Sequence, residues 1–163
     1  GSEMCIRDRN KSEKYQYSGT EKDSILIVLP DGEVAFDLAN LFLEKIQYND
    51  AKIHFLIKDA LINFYPKKIS ESAILFSYKD INSLGTPTQA FVEKIKELKY
   101  ANMIDLNINF SRFSSFLLRA CHPKVRMGFN YDNSKKYYNV ILDTNYQRDL
   151  EGTFNMIQQF IKI

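Results

Sequence analysis

Two stretches of the chain, Pro30-Asp31-Gly32-Glu33 and Asp105-Leu106-Asn107-Ile108-Asn109-Phe110-Ser111-Arg112, hold residue types whose spacing could do chemistry. Ser111 and Arg112 precede a helical pattern. Backbone N–H groups and a guanidinium meeting at a helix start form an anion site. Asp31, Glu33 and Asp105 oppose a bare phosphate, so a phosphorylated polyol or sugar suits the mixture better, its hydroxyls pairing with the carboxylates. Asp31, Gly32, Asp105, Asn107, Ser111 and Arg112 are therefore the candidate ligand-binding residues. Each has a plainer role open to it as well. Glu33 in a first helical turn complements the macrodipole, Asp105 can cap a loop, and Ser111 is an ordinary N-cap.

Other chemistries find no pattern. The first loop has one glycine where a dinucleotide fingerprint needs three, and no phosphate-binding Walker loop or G-x-S-x-G elbow occurs. With 2 His and 2 Cys, no metal-binding spacing exists. No cofactor is implied. His54 reads as a sheet-surface residue, His122 as a helix-end residue near the last carbonyls, and Cys121 as a small buried hydrophobe. Lys135-Lys136-Tyr137-Tyr138 reads as a solvated loop rather than a nucleic-acid patch. The net charge of +2, from 22 basic and 20 acidic residues, gives no electrostatic footprint for nucleic acid or an anionic membrane.

The elements that must position these loops follow from periodicity. Of 163 residues, 45% are hydrophobic and 26% charged, the balance of a soluble globular domain. The longest apolar run, Ile25 to Leu29, is far short of the roughly 20 residues a bilayer needs. Residues 1–23 are mostly polar and without period. Gly1-Ser2 reads as a tag-cleavage scar, and Met4 to Arg9 as a translated adapter of the kind found at the ends of metagenomic reads. Setting that tail aside leaves Cys121 alone and points to a reducing, cytoplasmic setting.

Residues 24–163 then read as one domain. Ile25–Leu29, Lys52–Ile57, Ala73–Phe76, Tyr100–Leu106, Val125–Phe129 and Tyr138–Leu142 read as strands. Helices are expected over 34–47, after Thr86 as N-cap with Pro87 at the first position, over the stripe Phe113, Phe116, Leu117 and Ala120, and from Leu150 to Ile161. A short helix over Asp59–Tyr65 stops at Pro66. Alternating strands and helices predict a Rossmann-like α/β domain, a mostly parallel sheet with helices on both faces. The ligand site then lies beyond the strands' carboxyl ends, near the switch in strand order.

The run Ile104-Asp105-Leu106, then Phe110 to Leu118, then Val125-Arg126-Met127-Gly128-Phe129 resembles the N-terminal half of the family 9 glycosyltransferases, the heptosyltransferases of lipopolysaccharide core synthesis. Ile25-Leu26-Ile27-Val28 followed by Gly32-Glu33-Val34 is similar to that family's opening motif. The resemblance covers roughly residues 24 to 160 and implies the acceptor-side half of a GT-B fold. It implies that Glu33 stands where the family carries an aspartate acting as general base on the acceptor hydroxyl. The loop is shortened by about two residues, and the longer side chain alters the reach. The family's second, donor-binding domain has no counterpart in these residues: either the gene is truncated or this is a natural single-domain relative, and the clean closing helix favours the natural end.

Two classes of function follow from these departures. They favour a non-catalytic domain acting by self-association or partner and ligand binding. The other class is an acceptor-binding half-enzyme completed by a separate donor-binding subunit. Aromatic residues at 13% fit a surface re-covered in a homodimer.

Overall fold

Ile25-Leu26-Ile27-Val28 is fully buried along its length, which marks a strand covered on both faces and set in the middle of a sheet. The computed structural model describes residues 24–31, 40, 43–46, 52–161 and 163. Six parallel strands, β1 Ile25–Val28, β2 Ile53–Lys58, β3 Ala73–Phe76, β4 Asn102–Asp105, β5 Val125–Phe129 and β6 Val140–Leu142, form one sheet in the order β3-β2-β1-β4-β5-β6. This is the Rossmann-like α/β arrangement expected from the alternation. The order reverses between β1 and β4, where Val28 lies opposite Asp105 in register.

Alternate residues along each strand serve opposite faces. Leu26, Val28, Leu56 and Met103 pack under helices α1 (Gln89–Leu98) and α2 (Arg112–Cys121), through Phe91, Val92, Ile95, Phe113, Leu117 and Leu118. Ile25, Ile27, Phe55 and Ile104 face the other way, toward Leu43, Ile46, Tyr65 and helix α3 (Leu150–Gln158) with Phe154 and Ile157. Among the described residues, no helix is long and apolar enough to cross a membrane.

Several boundaries differ from the sequence pattern for local reasons. The cap of α1 is Thr88, whose Oγ1 accepts from the Phe91 N–H at 3.2 Å, not Thr86. Thr86 is held instead by Asn82, whose Oδ1 accepts from the Thr86 and Leu84 N–H groups around Gly85 at φ +83°. Pro87 bridges Ile81 in extended form. The buried face of α2 is Phe113, Ser114, Ser115, Leu117 and Leu118, with Phe116 half-buried and Ala120 exposed. Tyr138 precedes β6, because its N–H and that of Tyr137 return to the Ser134 carbonyl and the ladder opens only at Val140 opposite Met127. Between β2 and β3 the chain runs through two 3-10 turns, Asp59–Phe64 and Lys67–Ser72, on either side of Pro66. The helix expected over 34–47 lies largely outside the described residues, as does the 1–23 tail.

Candidate functional site

The loops leaving β1 and β4 lie side by side at the reversal, and a cleft of about 510 Å³ opens between them. Asp31, Asn107, Ser111 and Arg112 all line it, with Gly85 and Gln147 at its sides. Gly32 and Glu33 lie outside the described residues. Four of the candidate ligand residues are therefore brought together by topology, since a parallel sheet delivers the chain to the same edge after every strand.

Buried tyrosines pin both loops from the α3 face. The Tyr65 hydroxyl donates to the Pro30 carbonyl at 2.5 Å, and the Tyr146 hydroxyl donates to the Leu106 carbonyl at 2.7 Å. Burial pushes both phenols up in pKa, so they stay protonated donors. Asn107 ties the two loops to each other, its Oδ1 accepting from the Asp31 N–H at 3.4 Å.

Asp105 sits behind the cleft rather than in it. It is 1% exposed, and both carboxylate oxygens are occupied. Oδ1 accepts from the Asn107 backbone N–H at 3.0 Å and from its Nδ2 at 2.9 Å. Oδ2 accepts from the Ser114 and Tyr138 hydroxyls, each at 2.6 Å. The Tyr131 hydroxyl donates to that of Tyr138 at 3.1 Å, continuing the chain outward. Burial raises the Asp105 carboxyl above the usual carboxylate range, against the opposing pull of hydrogen bonds from Ser114, Tyr138 and Asn107. Asp105 is thus a positioning residue that locks β4, α2 and the approach to β6 around the floor of the cleft.

At the cleft wall, Ser111 caps α2 by accepting the Ser114 N–H at 3.2 Å. The leading N–H groups of this ten-residue helix have no acceptor within the helix. Arg112 is exposed, its guanidinium carbon 5.8 Å from the Phe116 ring centroid, and no described carboxylate pairs with it. Asp31 is the only carboxylate among the described lining residues, and no histidine is among them.

His54, His122 and Cys121 do not line the cleft. His54 pairs across β1 with Leu26, toward the opposite end of the sheet. It lies on a sheet face but is 2% exposed, and its Nδ1 shares a 2.6 Å hydrogen bond with the Tyr100 hydroxyl. Burial pushes its imidazole down to about 4. His122 caps the far end of α2 in the left-handed region. Cys121 is half-buried, and burial pushes its thiol up to about 12, away from the thiolate a nucleophile needs. Among the described residues, no group of three His, Cys, Asp or Glu side chains converges to hold a metal ion.

Tyr65, Ser114, Tyr138 and Tyr146 were not legible as site residues. The available signal was the choice of tyrosine over phenylalanine, and of serine on the apolar face of α2, at positions that proved buried. No protein-family model, curated protein or solved structure matches this chain, so the chemistry of the cleft itself carries the functional conclusion.

Proposed function

We propose that this chain is a non-catalytic binding domain of heptosyltransferase-like form, which takes a phosphorylated sugar or polyol in the cleft at the strand-order switch. One observation carries the reading: Asp31, Asn107, Ser111 and Arg112 line a single cleft. Arg112 and the start of α2 supply positive charge for a phosphate. The exposed Asp31 carboxylate supplies an acceptor for hydroxyls and would disfavour an unsubstituted phosphate, while Asn107 holds the two loops in place. The binding reading is supported by Asp105, which sits behind the cleft with both carboxylate oxygens already taken by Asn107, Ser114 and Tyr138.

The expected result is that Arg112→Ala weakens a hexose phosphate by about 1.5–3 kcal/mol, the scale of a hydrogen bond to a charged group. Calorimetric titration reads this directly, and unchanged affinity rejects the site. A second reading, the acceptor half of a family 9 glycosyltransferase, is favoured by the place of Asp31 in the cleft, two residues before Glu33. The binding-domain reading predicts no release of nucleotide from nucleotide-sugars. Turnover that Glu33→Gln abolishes would decide for the enzyme.

A further inference from the structure

We infer that the hollow between the β4–α2 loop and the β5–β6 loop is a subsite for an uncharged pyranose ring. Phe110, Tyr131, Asp132, Asn133 and Tyr137 line this space of about 390 Å³. Phe110 is 43% exposed, so part of its ring is open to a ligand. Its ring meets Tyr131 at 5.2 Å and 70°, and Tyr137 at 5.8 Å and 49°. The aromatic walls are therefore mutually tilted and enclose a shallow corner, whereas a flat nucleobase asks for a parallel slot.

A pyranose ring presents a face of C–H bonds and an edge of hydroxyls. The electron-rich face of an aromatic ring attracts the weakly positive C–H groups. Asp132 accepts from two hydroxyls and Asn133 both donates and accepts, which suits the hydroxyl edge. Both residues are exposed, and no described group hydrogen-bonds to either side chain. No cation is among the described residues lining the hollow, and Asp132 opposes an anion there.

The hollow is also rigid. Asn133 is held at φ +68°, opening the 3-10 turn Ser134–Lys136. The Ser134 hydroxyl, 2% exposed, accepts the Tyr131 N–H at 2.7 Å. At its other end Tyr131 donates its hydroxyl to Tyr138 at 3.1 Å. Fixed at backbone and hydroxyl, Tyr131 offers its ring, not its O–H, and little ordering is left for a ligand to impose. Phe110 borders both this hollow and the switch-point cleft. The inference deepens the proposed function by giving the sugar of the ligand its own seat, on residues the phosphate does not use.

Saturation-transfer difference NMR on the full chain tests it with three neutral probes, the methyl glycosides of glucose, galactose and mannose at millimolar concentration. Irradiating the aromatic protons should transfer saturation to the C–H face of at least one glycoside. Asp132→Ala and Phe110→Ala, both at exposed positions, should each reduce that transfer at least fivefold, and Glu97→Ala, exposed on α1 away from both cavities, should leave it intact. No transfer to any of the three, or transfer that survives both substitutions, overturns the subsite. Transfer that meets these criteria while hexose phosphate fails to bind upholds the subsite and removes only the phosphate reading.

Discussion

Asp105→Ala is expected to destabilise the protein by about 3–5 kcal/mol, because four buried neutral donors lose their acceptor at once. The substitution strands the hydroxyls of Tyr138 and Ser114 and two N–H donors of Asn107. Each buried donor left without an acceptor costs roughly 1–3 kcal/mol, and some relaxation or water reduces their sum. Thermal unfolding should fall by roughly 6–20 °C for a chain of this size. Asp105→Asn should cost only about 1–2 kcal/mol. Its Oδ1 keeps both Asn107 donors, and its Nδ2 can donate to the Ser114 and Tyr138 hydroxyls once these rotate to accept. Equal losses in the two variants would show that Asp105 acts through its charge and not through the geometry of its acceptors.

The same pair of proteins carries a pH signature. Burial raises the Asp105 carboxyl in the folded state, although hydrogen bonds from Ser114, Tyr138 and Asn107 oppose the shift. The folded state then binds the proton more readily than the unfolded chain, whose Asp titrates near about 3.9. Its stabilising contribution is full below that value and is lost as pH rises through the folded one. Urea unfolding over a pH series should show the wild type losing ground to Asp105→Asn as pH rises. The opposite slope would mean that the donated hydrogen bonds outweigh burial.

Fold and site were legible to different depths. The apolar run Ile25–Val28 and the alternation after it were enough to place a parallel sheet, and with it the meeting of the Asp31 and Ser111-Arg112 loops at one edge. Element edges were less legible where polar side chains decide them. Thr86 and Thr88 flank Pro87, and only the Asn82 turn shows which one is free to cap the helix. Ser114 and Ser115 hid the buried face of α2, because a search for apolar residues selects Phe116 and Ala120 instead. A carboxylate at a strand end looks the same in sequence whether it faces a ligand or is locked behind one. For Asp105 the deciding partner is Tyr138, 33 positions away. Gly32 and Glu33 lie outside the described residues, so the proton-transfer role implied for Glu33 rests on resemblance alone.

Gly128 is the clearest case of a small residue set by that distant partner. A Cβ at Gly128 would fall 2.3 Å from Tyr138 Cε2, 2.4 Å from Cζ and 2.6 Å from Cδ2. The contacted atoms belong to a ring buried to 3% exposure, so no flexible tip can swing aside. Gly128→Ala must displace the Tyr138 ring or bend β5, and overpacking of this kind costs about 1–3 kcal/mol. Moving the ring also draws its hydroxyl away from Asp105 Oδ2, a charge-assisted bond whose loss adds about 1.5–3 kcal/mol. The combined loss should be about 2.5–6 kcal/mol, a range that spans that of Asp105→Ala although the substitution adds a single methyl group. A double-mutant cycle with Tyr138→Ala separates the causes: with the ring gone, Gly128→Ala should cost no more than about 0.5 kcal/mol, as an open strand position allows. A cost that stays near 3 kcal/mol without the ring would place the strain in the backbone of β5, and Tyr138 would lose its standing as the reason for a glycine at this position.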